Sequence, residues 1–314
     1  MDNVESDQPL LSIVIPLYQE GKHLNEVLRR VRNAVQSIDG TWELVLVDDG
    51  SPDDTWDVIR RESEQRGDVV GLQLSRNFGK ESALSAGLSA ASGKAVIIMD
   101  GDMQHPPELI PEMVRMWQEG GCDIVEALKS RRGEEGLRTR MGAKIFYALL
   151  DLFSGFDLSN ASDYKLLDRK VVDAWKGMGE HHLFFRGMSA WLGFRRAQIP
   201  FEVPRRVGGD TKWRFLGLVR LAVTAITAFS SLPLRLVTLL GSLFFVFAIV
   251  LGVQTLFVWV TGQAVSGFTT TILLLLIIGS LLMISLGIIG EYIARIYDEV
   301  KGRPRYIVAD TTKR

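Results

Sequence analysis

The chain has 314 residues, 36 Lys+Arg against 37 Asp+Glu and a formal net charge of −1, which gives no basic footprint for nucleic-acid binding. Its single cysteine, Cys122, excludes an internal disulfide and a multi-cysteine metal site. The four histidines, two of them the adjacent His181 and His182, show no metal-ligand spacing, and the acidic, polar first nine residues do not read as a signal peptide. Residues 12–17 (Ser-Ile-Val-Ile-Pro-Leu) form a short buried-strand pattern, followed by a loop at 18–21 and a period-3.6 helix at 23–35. A second strand at 44–47 runs into Asp48-Asp-Gly-Ser-Pro-Asp-Asp-Thr55, where Ser51, Asp53 and Asp54 are caps for a helix to about residue 65. A strand at 69–74, the loop Ser75-Arg-Asn-Phe-Gly-Lys80 and a small-residue helix to 91 come next. A strand at 95–99, a helix at 108–118 and a strand at 123–127 complete this part, with Cys122 read as a buried thiol beside the last strand. This alternation with short loops predicts an α/β, Rossmann-like, mostly parallel sheet covered on both faces. No Gly-x-Gly-x-x-Gly follows any strand, which disfavours a nicotinamide enzyme.

The chemistry concentrates at Val96-Ile-Ile-Met-Asp-Gly-Asp-Met-Gln-His-Pro-Pro-Glu-Leu-Ile110. In extended backbone, residues two apart point to one side, so Asp100 and Asp102 can aim at one ion, with Gln104 as a third oxygen. Oxygen-only ligands suit Mg²⁺ or Mn²⁺, which shares its shell with substrate phosphates and waters. Gly101 between the acids lets a ligand approach the backbone. A lone Asp-x-Asp also fits a polar turn, but this one ends a buried strand, at the edge where open α/β sheets bind ligands.

From residue 130 the pattern changes. Residues 130–140 are a charge-mixed loop, equally a solvated connection or a lid, and 141–152 an apolar helix in the core or on a membrane. Residues 163–170 lead a further helix to about 177, and 194–203 read as a strand. A basic, glycine-rich stretch at 204–213 precedes a weakly amphipathic helix at 215–229, which suits a membrane surface. The run at 234–260 is apolar except for Arg235, Thr238, Ser242, Gln254 and Thr255; its 27 residues span roughly 40 Å against a bilayer core of about 30 Å. A second run of 19 residues, 271–289, spans roughly 28 Å. Arg214, Arg220 and Arg235 flank the first run, and Arg295, Lys301, Arg303 and Arg305 follow the second, so the positive-inside rule puts both termini in the cytoplasm. Spans without internal charge make an anchor rather than an ion path. Gly241, Gly252 and Gly287 are candidate contacts in a homo-oligomer. The expected organisation is a sheet domain over 1–212, a juxtamembrane helix over 213–231, a hairpin over 232–290 and a cytosolic helix and tail over 291–314.

Four motifs in order carry a resemblance: Ser-Ile-Val-Ile-Pro-Leu-Tyr-Gln-Glu, Val-Asp-Asp-Gly-Ser-Pro-Asp-Asp-Thr, Ser-Arg-Asn-Phe-Gly-Lys and Met-Asp-Gly-Asp-Met-Gln-His-Pro-Pro-Glu. They resemble glycosyltransferase family 2. With the terminal hairpin, the chain is similar to polyprenyl-phosphate glycosyltransferases such as dolichyl-phosphate mannose synthases and bactoprenol glucosyltransferases. The resemblance implies a GT-A type fold and inverting, metal-dependent transfer from a nucleotide sugar (UDP-glucose, or alternatively GDP-mannose) to a membrane polyprenyl phosphate such as undecaprenyl phosphate. It implies that Pro16, Tyr18, Glu20, Val47 and Asp49 hold the base and ribose, and that Lys80, Gly101 and Lys129 belong to the same nucleotide-sugar site. Asp100, Asp102 and Gln104 would hold the metal on the diphosphate, Arg206 and Lys212 would meet phosphates near the membrane, and Asp163 matches an acid sometimes assigned as catalytic base. The chain departs from the family pattern at Gln19 (usually Asn), Gly101 (Ala), Tyr164-Lys165 (Phe-Arg) and Lys129 (Arg). A phosphate monoester with a second pKa of about 6 is largely a dianion at neutral pH. Such a nucleophile needs little deprotonation, so Asp163 is expected to orient rather than to act as an obligatory base. A processive polysaccharide synthase would need a Gln-x-x-Arg-Trp motif, which is absent; a non-catalytic nucleotide-sugar binder would not need the intact Asp100–Asp102–Gln104 set.

Overall fold

The computed structural model describes residues 8–129, 162–180, 185–201, 232–261 and 267–312. The expected loop at 130–140, the helices at 141–152 and 215–229, and the residues Arg206 and Lys212 lie outside these. Contacts divide the chain into one unit of Met1–Asp151, Phe156–Trp213 and Pro304–Arg314, and a second of Leu152–Gly155 and Arg214–Arg303.

In the first unit the chain runs β1 (Leu11–Leu17), α1 (Gly21–Val35), β2 (Trp42–Asp48), α2 (Thr55–Gln65), β3 (Val69–Leu74), α3 (Lys80–Ala90) and β4 (Ala95–Ile98). It continues through a 3₁₀ turn at Pro107–Leu109, α4 (Ile110–Gly120), β5 (Ile124–Lys129), β6 (Lys165–Asp168), α5 (Arg169–Lys176), α6 (Phe185–Trp191) and β7 (Arg196–Phe201). The last strand, β8 (Val308–Thr311), comes from the tail. The eight strands form one sheet in the order β7-β5-β6-β4-β1-β2-β3-β8. Only β6, against β4 and β5, and β8, against β3, run antiparallel to their neighbours. The mostly parallel sheet expected from the alternation is therefore present.

The period-2 geometry of β1 divides its side chains between two layers. Leu11, Ile13, Ile15 and Leu17 enter a core shared with Leu24, Leu28 and Val31 of α1, Ile59 of α2 and Met113 of α4. On the other face Val14 meets α3, where a Cβ on Gly87 would come within 2.3 Å of Val14 Cγ1. Any side chain at Gly87 would push α3 off the sheet. Strand order reverses at β1, with β2 and β3 on one side and β4 on the other. Such a reversal opens a crevice at the carboxyl ends of the strands.

Two strands differ from the sequence expectation. Residues 165–168, read as leading into a helix, form β6; its Lys165 points into the interior, which hides a central strand from any reading by hydrophobic pattern. The tail supplies β8, an edge strand with all residues exposed, secured by Gly71 N–H donating to Thr312 Oγ1 at 2.8 Å and Ser75 N–H to the Ile307 carbonyl at 2.9 Å. Ser51, Asp53 and Asp54 cap α2 less directly than expected. Asp54 occupies the N-cap without a side-chain bond, and Asp53 Oδ1 instead accepts from the Thr55 amide and hydroxyl.

The second unit contains two helices packed on each other, α7 (Leu232–Val260) and α8 (Phe268–Val300). Within them Leu234–Val258 and Leu274–Val300 have mean hydropathies of 2.7 and 2.3, and each is long and apolar enough to cross a membrane. Leu243, Phe245, Phe257 and Met283 are exposed, an outward apolar surface that suits lipid. The expected Glu291–Arg295 pair forms at 3.7 Å.

Candidate active site

The loops that follow β1, β2, β3 and β4 converge on a cleft of about 320 Å³ in the first unit. Of the expected residues, Pro16, Tyr18, Glu20, Asp49, Lys80, Asp100, Gly101 and Asp102 line it. Asn77, Gly79 and Ala83, which the motif reading did not single out, line it as well. Val47 does not: its side chain is fully buried in β2, in register with Pro16. Lys129 ends β5 in register with Phe201.

Local bonds explain how each loop is held. The Gln19 amide donates to Ser51 Oγ at 2.9 Å, and the Glu20 and Gly21 amides donate to Thr55 Oγ1 at 3.1 and 3.0 Å, tying the β1–α1 loop to α2. Tyr18 is left 44 % exposed on the rim. Asp49 is buried, and its two oxygens accept from the Phe78 and Gly79 amides at 2.8 and 2.9 Å. It therefore shapes the β3–α3 loop as well as lining the cleft. Burial holds its carboxyl above the usual carboxylate range, the two amides opposing, and burial likewise raises Glu20. Arg76 of this loop lies over the Phe78 ring at 4.0 Å.

In the acidic loop, the Gln104 amide donates to Asp102 Oδ1 at 3.1 Å, and Met103 between them has φ of 59°. A non-glycine residue in the left-handed region is strained, and such strain collects at functional loops. Gly101 lines the cleft, and a Cβ there would lie 2.6 Å from the terminal Leu17 Cδ2 methyl, which would have to shift to admit it. Asp100 Oδ1 is buried without an aligned hydrogen bond; its near neighbour is the Lys80 ammonium at 2.6 Å. Among the described residues no cluster of three His, Cys, Asp or Glu could hold a metal. Two carboxylates with a buried, unbonded oxygen nevertheless fit a hard cation whose remaining ligands are the Gln104 amide, phosphate oxygens and water.

His105 is a residue the motif reading missed. It is buried, its Nδ1 accepts from the Asp100 amide at 2.9 Å, and its ring stacks on Tyr164 at 5.0 Å. Tyr164 donates its hydroxyl to the Pro106 carbonyl at 2.9 Å. The acidic loop is thereby fastened to the start of β6.

Asp163 is buried beside the cleft, and both its oxygens are engaged. Lys80 Nζ reaches Oδ2 at 2.6 Å, Arg186 Nε donates to Oδ1 at 2.8 Å and a terminal guanidinium nitrogen of Arg186 donates to Oδ2 at 3.0 Å. Burial works against the charge, but Arg186 and Lys80 outweigh it and hold this carboxyl far below the usual range. Burial would likewise lower Lys80, yet Asp100 and Asp163 hold it above its ordinary value. A carboxylate so paired is a poor proton acceptor at neutral pH.

The chain matches Glycosyl transferase family 2 over residues 12–175 and the GtrB C-terminal hairpin over residues 232–296. It is 38 % identical over 302 residues to an uncharacterized glycosyltransferase of Synechocystis sp., covering 96 % of this chain and 95 % of that one. To the bactoprenol glucosyl transferase of Shigella phage SfII it is 37 % identical over 303 residues, covering 95 % and 97 %. Glucosyl-3-phosphoglycerate synthase from Mycobacterium tuberculosis, solved with Mg²⁺ and uridine-diphosphate, superposes with a TM-score of 0.50 at 21 % identity, covering 70 % of this chain and 79 % of that one, and so shares the GT-A-like sheet fold. The chain is a glycosyltransferase, and it belongs to glycosyl transferase family 2.

Proposed function

We propose that the protein transfers a sugar, with inversion, from a nucleotide sugar to a polyprenyl phosphate in the membrane; UDP-glucose is the favoured donor and undecaprenyl phosphate the favoured acceptor. The observation that carries this is the convergence of Asp49, Lys80, Asp100 and Asp102 on one cleft, in a chain that also carries the hairpin of bactoprenol glucosyl transferase relatives. Tyr18 stacks on the base, and Asp49 and Glu20 take hydrogen bonds from base and ribose. Asp100, Asp102 and Gln104 would hold Mg²⁺ or Mn²⁺, which would supply charge stabilisation for the departing nucleoside diphosphate. Lys80 adds a second positive charge on the same wall. The acceptor phosphate, already an anion, attacks the sugar carbon, and Arg206 and Lys212 offset its repulsion from the diphosphate. Asp163 orients cations rather than removing a proton.

Helices α7 and α8 form a membrane hairpin, and both termini are cytoplasmic. An acceptor anchored in lipid explains why a sheet domain would carry such a hairpin. The purified protein, incubated with short-chain polyprenyl phosphate and a panel of uridine and guanosine nucleotide sugars, should give one lipid-linked sugar by mass spectrometry, from UDP-glucose. A product from GDP-mannose alone would replace that donor, and no lipid product from any donor would refute the acceptor.

A further inference from the structure

We propose that Arg186 is a positioning residue of the transfer reaction: it fixes Asp163 as an anion, and Asp163 in turn seats the Lys80 ammonium on the cleft wall. This rests on the reading of the cleft as the nucleotide-sugar site. Lys80 Nζ stands 2.6 Å from an oxygen of each of Asp100 and Asp163. Of the two carboxylates, Asp163 is the one fixed in turn by a guanidinium, through two hydrogen bonds from Arg186. Asp163 is therefore the anchored end for the ammonium, and Asp100 is the partner it can relinquish when a cation and a diphosphate enter.

Asp163 itself would be a weak anchor without Arg186. Its side chain is 8 % exposed, and a carboxylate there needs compensation for lost solvent. Arg186 supplies this with a fork of two parallel N–H bonds, the arrangement that fixes a carboxylate in plane as well as in position. The fork is held in turn by the residue after Lys80. Glu81 Oε2 accepts from the Phe185 amide at 3.0 Å, which ties α3 to the first residue of α6. Successive residues of α3 thus grip both ends of one relay, Lys80 at the cleft and Glu81 at the helix that presents Arg186. Arg186 does not line the cleft, and so it acts through Asp163.

The test is a double-mutant cycle on the full chain in detergent, with donor and polyprenyl phosphate both varied. Arg186→Gln should lower kcat and kcat/KM together by roughly 10- to 100-fold, the equivalent of one charge-assisted bond. Lys80→Gln should do the same, and the double variant should be within about threefold of Lys80→Gln alone, because both changes remove one function. Arg186→Lys keeps the charge without the fork and should recover part of the loss. Losses that multiply in the double variant, or wild-type kcat in Arg186→Gln, would overturn the proposal. Should Arg186→Gln fail to fold by thermal unfolding, Arg186→Lys alone and with Lys80→Gln is judged by the same non-additivity. Hydrolysis of the donor without lipid product, showing the same non-additivity, would overturn the acceptor and retain the role of Arg186. No turnover of any donor by the wild type would overturn both.

Discussion

Two acid–base clusters stand side by side in the first unit, and they differ in a way that separates architecture from chemistry. Glu126 of β5 and Lys165 of β6 are register partners with Nζ 2.9 Å from Oε1, and their side chains are 5 % and 1 % exposed. The Phe185 ring stands 5.5 Å over Lys165, and the next residue, Arg186, turns to Asp163. In that second cluster one ammonium is shared by two carboxylates, and its side chain is 42 % exposed. The dry pair is committed to the sheet. The shared ammonium has a partner to exchange, and it faces the cleft.

The largest effects expected should divide along that line. Glu126→Ala removes the carboxylate that Lys165 Nζ meets at 2.9 Å in the interior and should cost about 3–5 kcal/mol of stability, read as a fall in the unfolding midpoint. Asp100→Asn should lower kcat by about 10²–10³ while leaving that midpoint nearly unchanged, since the Asp100 amide keeps its bond to His105. A large kcat loss without destabilisation for Glu126→Ala, or unfolding for Asp100→Asn, would erase the distinction.

Glu81 sharpens it through pH. Burial, aided by Asp163, raises its carboxyl from 4.5 to about 7. Below pH 4.5 both folded and unfolded chains hold the proton and no penalty arises; between 4.5 and about 7 the unfolded chain loses it first, so stability falls as pH rises and then levels. Glu81→Gln should flatten that window and stabilise the protein above pH 7 by about 1–3 kcal/mol, seen in denaturant unfolding at several pH values. An unchanged pH profile would mean that Glu81 is already ionised.

The smallest effect concerns His105. His105→Leu removes the acceptor for the Asp100 amide and should raise the Mn²⁺ concentration needed for half-maximal activity by about 5- to 10-fold, the worth of one neutral bond. His105→Asn offers an oxygen near the Nδ1 position and should recover most of it; equal loss in both would make the ring stack, not the hydrogen bond, the cause.

The loops that form the cleft were legible because each carries polar residues directly after an apolar run, and the sheet's strand reversal gathers those ends. Asp49, Lys80, Asp100 and Asp102 follow from that rule, and they do meet. Arg186 and His105 did not follow from it. Arg186 lies in Phe-Phe-Arg-Gly-Met without spacing to any acid, and its pairing with Asp163 exists only once α6 is set beside β6. His105 looked like a flank of the acidic motif, although its burial makes it a hinge pin for that loop. Strand β6 was hidden because Lys165 is polar by type and satisfied by Glu126 through tertiary pairing. Strand β8 was hidden because four exposed residues gain their order from the edge of β3.

In the proposed reaction Asp100 and Asp102 would hold the cation that supports formation of a lipid-linked sugar. The direct measurement is formation of polyprenyl-phosphate sugar, by mass spectrometry, from UDP-glucose and undecaprenyl phosphate with Mg²⁺, by wild type and Asp102→Asn, each with and without chelator. The wild type should give product with Mg²⁺ alone, with a loss of at least about 100-fold in the variant or in chelator. Equal product from Asp102→Asn, or from the wild type in chelator, would contradict this.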